Sequence, residues 1–158
     1  MCYTIKFAIW FTISRVDRTN IYILNYDLEN MRKKILVIDD ELSMTTLLEF
    51  FLSKTYEVKA VNSAGEAQSW LNTHLPDLII SDIQMDDTDG FELLKIIRLR
   101  GYTKHTPIIM LSGKSESKER IKSYRLGAQD YLTKPFNPEE LEEVVKKNLY
   151  PIHYSPTW

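Results

Sequence analysis

The chain has 158 residues, a formal net charge of −2, 44% hydrophobic and 27% charged residues, which fits one globular domain with a full core. Near-neutral charge argues against a basic nucleic-acid binder and a polybasic membrane anchor. The lone Cys2 excludes an intramolecular disulfide and a cysteine-cluster zinc site, and His74, His105 and His153 show no ligand spacing.

Composition divides the chain near Asn30. All 5 Gly and all 6 Pro lie beyond it, while residues 1–30 hold six aromatics and charges that cancel. The apolar run Ile5–Ile13, interrupted by Lys6, is nine residues long; a membrane-spanning helix needs about 20. The basic start, longer apolar stretch and small-residue cleavage pattern of a signal peptide are also missing. At Met31 the text turns to Met-Arg-Lys-Lys-Ile-Leu-Val-Ile-Asp-Asp, which reads as the start of a domain. The expected organisation is an extension at 1–30, a domain at 31–150 and a short tail at 151–158. The extension reads as the product of an upstream start, a matter that intact mass of the native protein decides. The expected location is cytoplasmic.

In chain order, Ile35–Ile38 is the first predicted strand, short and wholly apolar as in a strand buried on both faces. Met44, Leu47, Leu48 and Phe51 then form a helical stripe. Glu57–Val61 alternates, which suggests a strand nearer an edge. A Ser63-x-x-Glu66 capping box opens a helix carrying Ala67, Trp70 and Leu71. Leu78–Ile80 is the third strand. Asp89 is an N-cap candidate for a helix bearing Leu93, Ile96 and Ile97. Ile108–Leu111 is the fourth strand. Ile121 and Tyr124 mark a more polar helix that ends near Gly127. Gln129–Leu132 is the fifth strand. Asn137-Pro138-Glu139-Glu140 opens the last helix, with Leu141, Val144 and Val145 on its apolar side. Five βα units predict an α/β fold. It is a doubly wound five-stranded parallel sheet with helices on both faces and flavodoxin-like strand order 2-1-3-4-5.

The unusual polar residues fall at the ends of these strands. Asp39 and Asp40 follow the first, Asp82 the third, Ser112 the fourth and Lys134 the fifth. Ligands of open α/β sheets bind outside the carboxyl ends of strands, so one pocket can collect all five. Two unit charges 4 Å apart interact by about 4 kcal/mol at an effective dielectric near 20. Three carboxylates therefore need a counterion beyond Lys134. Clustered carboxylates without His or Cys suit a hard cation, and Mg²⁺ fits best. A carboxylate beside Mg²⁺ can attack a phosphoryl group and form an aspartyl phosphate. A hydroxyl and an ammonium are suitable partners for the phosphoryl oxygens.

The quoted motifs together resemble the response-regulator receiver domain of two-component signalling. They are Ile35-Leu-Val-Ile-Asp-Asp-Glu41, Asp82-Ile-Gln-Met with Asp89-Gly90, Ile108-Ile-Met-Leu-Ser-Gly113 and Gly127-Ala-Gln-Asp-Tyr-Leu-Thr-Lys-Pro-Phe136. The resemblance covers about residues 32–149 and implies a stand-alone signalling module rather than an enzyme. It implies Asp82 as phospho-acceptor. Asp39, Asp40 and the backbone carbonyl of Gln84 are implied, with Asp82, as the Mg²⁺ ligands. Ser112 is implied as switch hydroxyl, Tyr131 as the aromatic that turns inward with it, and Lys134 as the phosphoryl-binding lysine. Gln84 and Lys114 fall where the family tunes the lifetime of the phosphoryl group. Lys134-Pro135 is expected to be cis. The implied partners are a histidine kinase or histidine phosphotransfer protein and an unknown output protein. No nucleic acid or membrane partner is expected, and the state is monomer or weak homodimer.

One departure concerns the loop after Asp82. The family usually writes Met-Pro there, and this chain has Met85-Asp86 followed by Asp87, Thr88 and Asp89. The change removes a φ constraint and adds negative charge. Competing functions are a phosphorylation-independent binding module, a phosphate sink and, less favoured, an aspartate-nucleophile phosphatase of the haloacid-dehalogenase type. That phosphatase type places Asp-x-Asp after its first strand, and here the pair Asp39-Asp40 is adjacent. Flavin binding lacks a Ser/Thr/Gly-rich phosphate loop after the first strand.

Overall fold

The computed structural model describes residues 32–86 and 88–151. The extension at 1–30, the last seven residues with His153, and Asp87 lie outside the described residues.

The elements run β1 (Lys34–Ile38), α1 (Leu42–Leu52), β2 (Glu57–Val61), α2 (Ala64–Trp70), β3 (Leu78–Asp82), α3 (Gly90–Leu99), β4 (Ile108–Ser112), α4 (Ser117–Arg125), β5 (Asp130–Thr133) and α5 (Pro138–Leu149). All pairings are parallel, in the order β2-β1-β3-β4-β5. The expected fold and strand order are therefore those observed.

Successive residues of a strand face opposite sides, and β1 shows the consequence. Leu36 and Ile38 pack with Ala64, Ala67, Leu71 and the apolar side of α3. Ile35 and Val37 pack with Leu48 and Leu52 of α1 and Leu141 and Val145 of α5. The sheet thus carries a core on each face, which is why its central strands read as unbroken apolar runs. Among the described residues strand β2 is paired on one side, and its pattern alternates as expected for an edge.

Local signals act as the sequence implies, with adjustments. Ser63 caps α2 by accepting the Glu66 N–H, but the Glu66 carboxylate reaches back to the Asn62 N–H at 3.1 Å rather than to the cap residue. Asp89 caps α3 through the Phe91 N–H at 2.9 Å, and Asn137 caps α5 through the Glu139 N–H at 2.8 Å.

Two apolar stripes sit differently from expectation. In α1 the buried line is Thr45, Leu48 and Leu52, while Leu47 is 53% exposed. A wide apolar face has two edges, and periodicity does not say which edge meets the sheet. Thr45 tolerates burial because its hydroxyl donates to the Leu42 carbonyl at 3.1 Å and accepts from Asn62 Nδ2 at 2.9 Å. In α4 Ile121 and Tyr124 face solvent, and the buried residue is Ser123, whose hydroxyl donates to the Glu119 carbonyl at 3.0 Å.

Trp70 packs on one core, as expected, and stacks on the exposed His74 with ring centroids 4.6 Å apart. No helix among the described residues is long and apolar enough to cross a membrane.

Candidate functional site

The strand order reverses direction between β1 and β3, and Ile38 lies in register with Ser81. The next residues on the two strands, Asp39 and Asp82, therefore emerge side by side. Switch points of this kind form the ligand crevice of doubly wound sheets. One carboxylate oxygen each from Asp39, Asp40 and Asp82 lies within 4.8 Å of the others. Asp39 and Asp82 are 1% and 4% exposed, whereas Asp40 is half-buried.

Each acid is held differently. Asp39 Oδ1 accepts the Glu41 N–H at 3.0 Å, and its Oδ2 accepts Lys134 Nζ at 2.6 Å. Its backbone carbonyl accepts Asn62 Nδ2 at 3.1 Å, which ties the β1–α1 loop to the end of β2. Asp40 Oδ2 accepts the backbone N–H of Asp86 at 2.8 Å. Asp82 Oδ1 lies 3.0 Å from Lys134 Nζ, yet it is buried and accepts no hydrogen bond among the described residues. The ammonium is its ion-pair neighbour rather than an aligned donor.

Burial pushes the Asp82 carboxyl above the ordinary range; Lys134 pulls it down and Asp39 adds repulsion. Burial disfavours the Lys134 ammonium, but its hydrogen bond to Asp39 and its charge pairing with Asp39 and Asp82 prevail and raise its pKa. Three carboxylates thus face one ammonium. The orphaned Asp82 oxygen and the all-oxygen donor set fit a hard divalent cation.

Lys134 reaches the site from the end of β5, where the Lys134–Pro135 peptide is cis. Ser112 ends β4 and is fully buried. Its Oγ accepts the Lys114 N–H at 3.0 Å and donates to Glu119 Oε2 at 2.9 Å. Tyr131 is 7% exposed, and its hydroxyl donates to the Lys114 carbonyl at 2.6 Å. Lys114 Nζ lies 3.3 Å from Glu119 Oε1, so the side chain is paired rather than free in solvent. Gln84 is exposed beside a cleft of about 310 Å³ that Met85, Asp89, Lys114, Glu119 and Lys122 also border.

The loop between β3 and α3 is pressed against β3. Gly90 donates its N–H to the Ile83 carbonyl at 2.8 Å. A Cβ on Gly90 would stand 2.2 Å from the Asp82 carbonyl oxygen and 2.8 Å from Ile83 Cα. Only glycine permits this approach.

The sequence-selected residues Asp39, Asp40, Asp82 and Lys134 meet in one cluster. Ser112, Lys114 and Tyr131 form a second, adjoining hydrogen-bonded set. Glu119 and Asn62 were not singled out from the sequence. An acid in the first turn of a helix reads as a dipole partner, so nothing in the text around Glu119 distinguishes it from Glu139 or Glu140.

This arrangement defines a class: a doubly wound α/β domain with an acidic crevice, a half-buried lysine and a hydroxyl at successive strand ends. The model for the response regulator receiver domain matches residues 35–146, and the chain belongs to that family. The alkaline phosphatase synthesis transcriptional regulatory protein PhoP of Bacillus subtilis is 42% identical over 117 residues, which are 73% of this chain and 48% of that protein. The phosphate regulon transcriptional regulatory protein PhoB of Rhizobium meliloti is 38% identical over 120 residues, 75% of this chain and 53% of that protein. The chain spans about half the length of these curated relatives. Among solved structures, the chemotaxis response regulator CheY4 of Vibrio cholerae aligns with a TM-score of 0.72 and 32% identity, over 75% of this chain and 100% of that one. Two relatives are named transcriptional regulatory proteins, so the expectation of no nucleic-acid partner gains no support from them.

Proposed function

We propose that residues 31–150 form a phospho-accepting receiver in which Asp82 takes a phosphoryl group from a histidine kinase or a histidine phosphotransfer protein. The observation that carries this is the buried Oδ1 of Asp82, without a hydrogen bond among the described residues, beside the Lys134 ammonium that also holds Asp39. A carboxylate oxygen without a hydrogen bond keeps its lone pair available for attack at phosphorus. The bond from phosphorus to the donor's imidazole nitrogen breaks, the imidazole takes up a proton, and an acyl phosphate forms on Asp82.

Asp39, Asp40, Asp82 and the Gln84 carbonyl would hold Mg²⁺, which would supply positive charge to the phosphoryl oxygens. Lys134 binds one phosphoryl oxygen when the ion pair with Asp82 gives way. Asp39 keeps its hold on the ammonium and so orients it. Ser112 offers its hydroxyl to another oxygen, and Tyr131 follows that change. Output is altered binding of another protein, with no substrate turned over.

Incubation with acetyl phosphate and Mg²⁺, followed by intact-mass measurement, tests the assignment. Wild type is expected to gain a phosphate adduct, and Asp82→Asn is not. Equal adducts in both would overturn it.

A further inference from the structure

The hydroxyl assigned to the switch already has an acceptor. Ser112 Oγ donates to Glu119 Oε2 at 2.9 Å, from a residue with no solvent exposure to a carboxylate side chain 18% exposed. Glu119 is fixed from its other side, because Oε1 pairs with Lys114 Nζ at 3.3 Å. Lys114 is itself tied in, since its carbonyl accepts the Tyr131 hydroxyl at 2.6 Å. Arg120, the next residue of α4, places its guanidinium carbon 5.3 Å from the Tyr131 ring centroid. The contact thus joins the last residue of β4 to the first turn of α4, and the same turn reaches Tyr131 on β5.

A serine hydroxyl has one proton to donate. A phosphoryl oxygen on Asp82 and the Glu119 carboxylate cannot both hold it. We propose that Glu119 is a latch on Ser112, competing with the phosphorylated site for the hydroxyl and setting how far phosphorylation shifts the domain. The proposal rests on Asp82 being the phospho-acceptor. When the proton turns to the phosphoryl oxygen, Glu119 keeps Lys114 alone, and the first turn of α4 is released from β4. Hydrogen bonds to a charged acceptor are roughly twice as strong as those between neutral groups. The latch therefore biases the free protein toward the unswitched state, and a ligand moves that equilibrium only by its differential affinity for the two states.

The experiment has two arms. Beryllofluoride with saturating Mg²⁺ serves as phosphoryl mimic, and its binding is followed by fluorine NMR. Glu119→Gln keeps the size and removes the charge, so the mimic is expected to bind about fivefold tighter than to wild type. Glu116→Gln removes an exposed acid one turn earlier without touching Ser112, and is expected to leave affinity unchanged. In the free protein, thermal unfolding of Ser112→Ala, Glu119→Gln and the double variant is expected to show non-additive shifts. Additive shifts would overturn the latch, because the two side chains would then be uncoupled. Equal mimic affinity in wild type and Glu119→Gln, or the same tightening in Glu116→Gln, would also overturn it. Failure of wild type itself to bind the mimic would instead strike at the Asp82 assignment, and the competition would fall with it.

Discussion

Lys134 Nζ donates to Asp39 Oδ2 at 2.6 Å across a sequence separation of 95 residues. The same ammonium is 3.0 Å from Asp82, so one lysine serves two buried carboxylates. Its side chain is 17% exposed, which leaves little water to replace it. Breaking a buried ion pair by removing one partner leaves uncompensated charge and is expected to cost about 3 kcal/mol. Lys134→Met should therefore lower stability in Mg²⁺-free buffer by about that amount in urea unfolding. The same variant should bind Mg²⁺ more tightly, because a competing positive charge has gone. A stable variant with unchanged Mg²⁺ affinity would mean that the lysine contributes no charge to the crevice.

Asp82 contributes a pH dependence on the acid side. Its carboxyl is pushed up by burial, against the pull of Lys134. The folded protein then holds a proton on Asp82 at pH values where the unfolded chain has lost it. Stability from this group is complete below the ordinary carboxylate value of about pH 4 and is lost as pH rises through the raised folded value. Asp82→Asn cannot ionise, so its Tm should rise relative to wild type as pH goes from below about 4 to neutral. Mg²⁺ should shrink that difference at neutral pH by stabilising wild type alone. The measurement is Tm against pH for both proteins, with and without Mg²⁺. A pH-independent difference would contradict the raised value.

Much of the architecture was legible because buried parallel strands leave a strong trace. Ile35–Ile38 and Ile108–Leu111 lie in β1 and β4, while Leu78–Ile80 extends to Asp82 as β3, because ladder pairing continues past the apolar run. The site was legible for a related reason. Asp39 and Ser112 stand immediately where apolar runs stop, and Asp82 and Lys134 stand one polar residue further on. Contacts between side chains of distant elements left no such trace. Arg98 is a clear case: its guanidinium donates to the carbonyls of Gly127, Thr103 and Thr106 and to Gln129 Oε1. Those acceptors come from two separate loops, α3–β4 and α4–β5, and an arginine near a helix end reads as a solvated charge. The Ser112–Glu119 bond was hidden for the same reason. Helix orientation in α1 and α4 also escaped, because period alone cannot choose between the edges of an apolar face.

Asp86 bonds to the site through its backbone, not its carboxylate. The N–H donated to Asp40 Oδ2 at 2.8 Å is one that proline cannot supply. The departure from the usual Met-Pro text therefore adds a tether between the β3–α3 loop and a proposed Mg²⁺ ligand. Asp86→Pro removes both the N–H and the charge, whereas Asp86→Ala removes the charge alone. Calorimetric titration should find Mg²⁺ affinity lowered about threefold in the proline variant relative to the alanine variant, as expected for one exposed hydrogen bond. Equal affinities in the two variants would show that the amide does not position Asp40.

Gly90 makes the sharpest steric demand near the site. A methyl group there would meet the Asp82 carbonyl oxygen at 2.2 Å and Ile83 Cα at 2.8 Å. Both are backbone atoms, so no side-chain rotation relieves the clash. The Gly90 N–H also donates to the Ile83 carbonyl, which pins the start of α3 to the end of β3. Gly90→Ala must therefore push α3 away from β3 or shift the Asp82 backbone. Overpacking of this kind costs about 1–3 kcal/mol. The displacement would reach the site directly, since Asp82 is the last residue of β3. Urea unfolding should show the loss of stability, and Mg²⁺ titration should show weaker binding in the same variant. Gly101 is the control: nothing lies within 4 Å of a Cβ there, so Gly101→Ala should leave both quantities near wild type. If Gly90→Ala matched that control, the close packing of α3 on β3 would not be what positions Asp82.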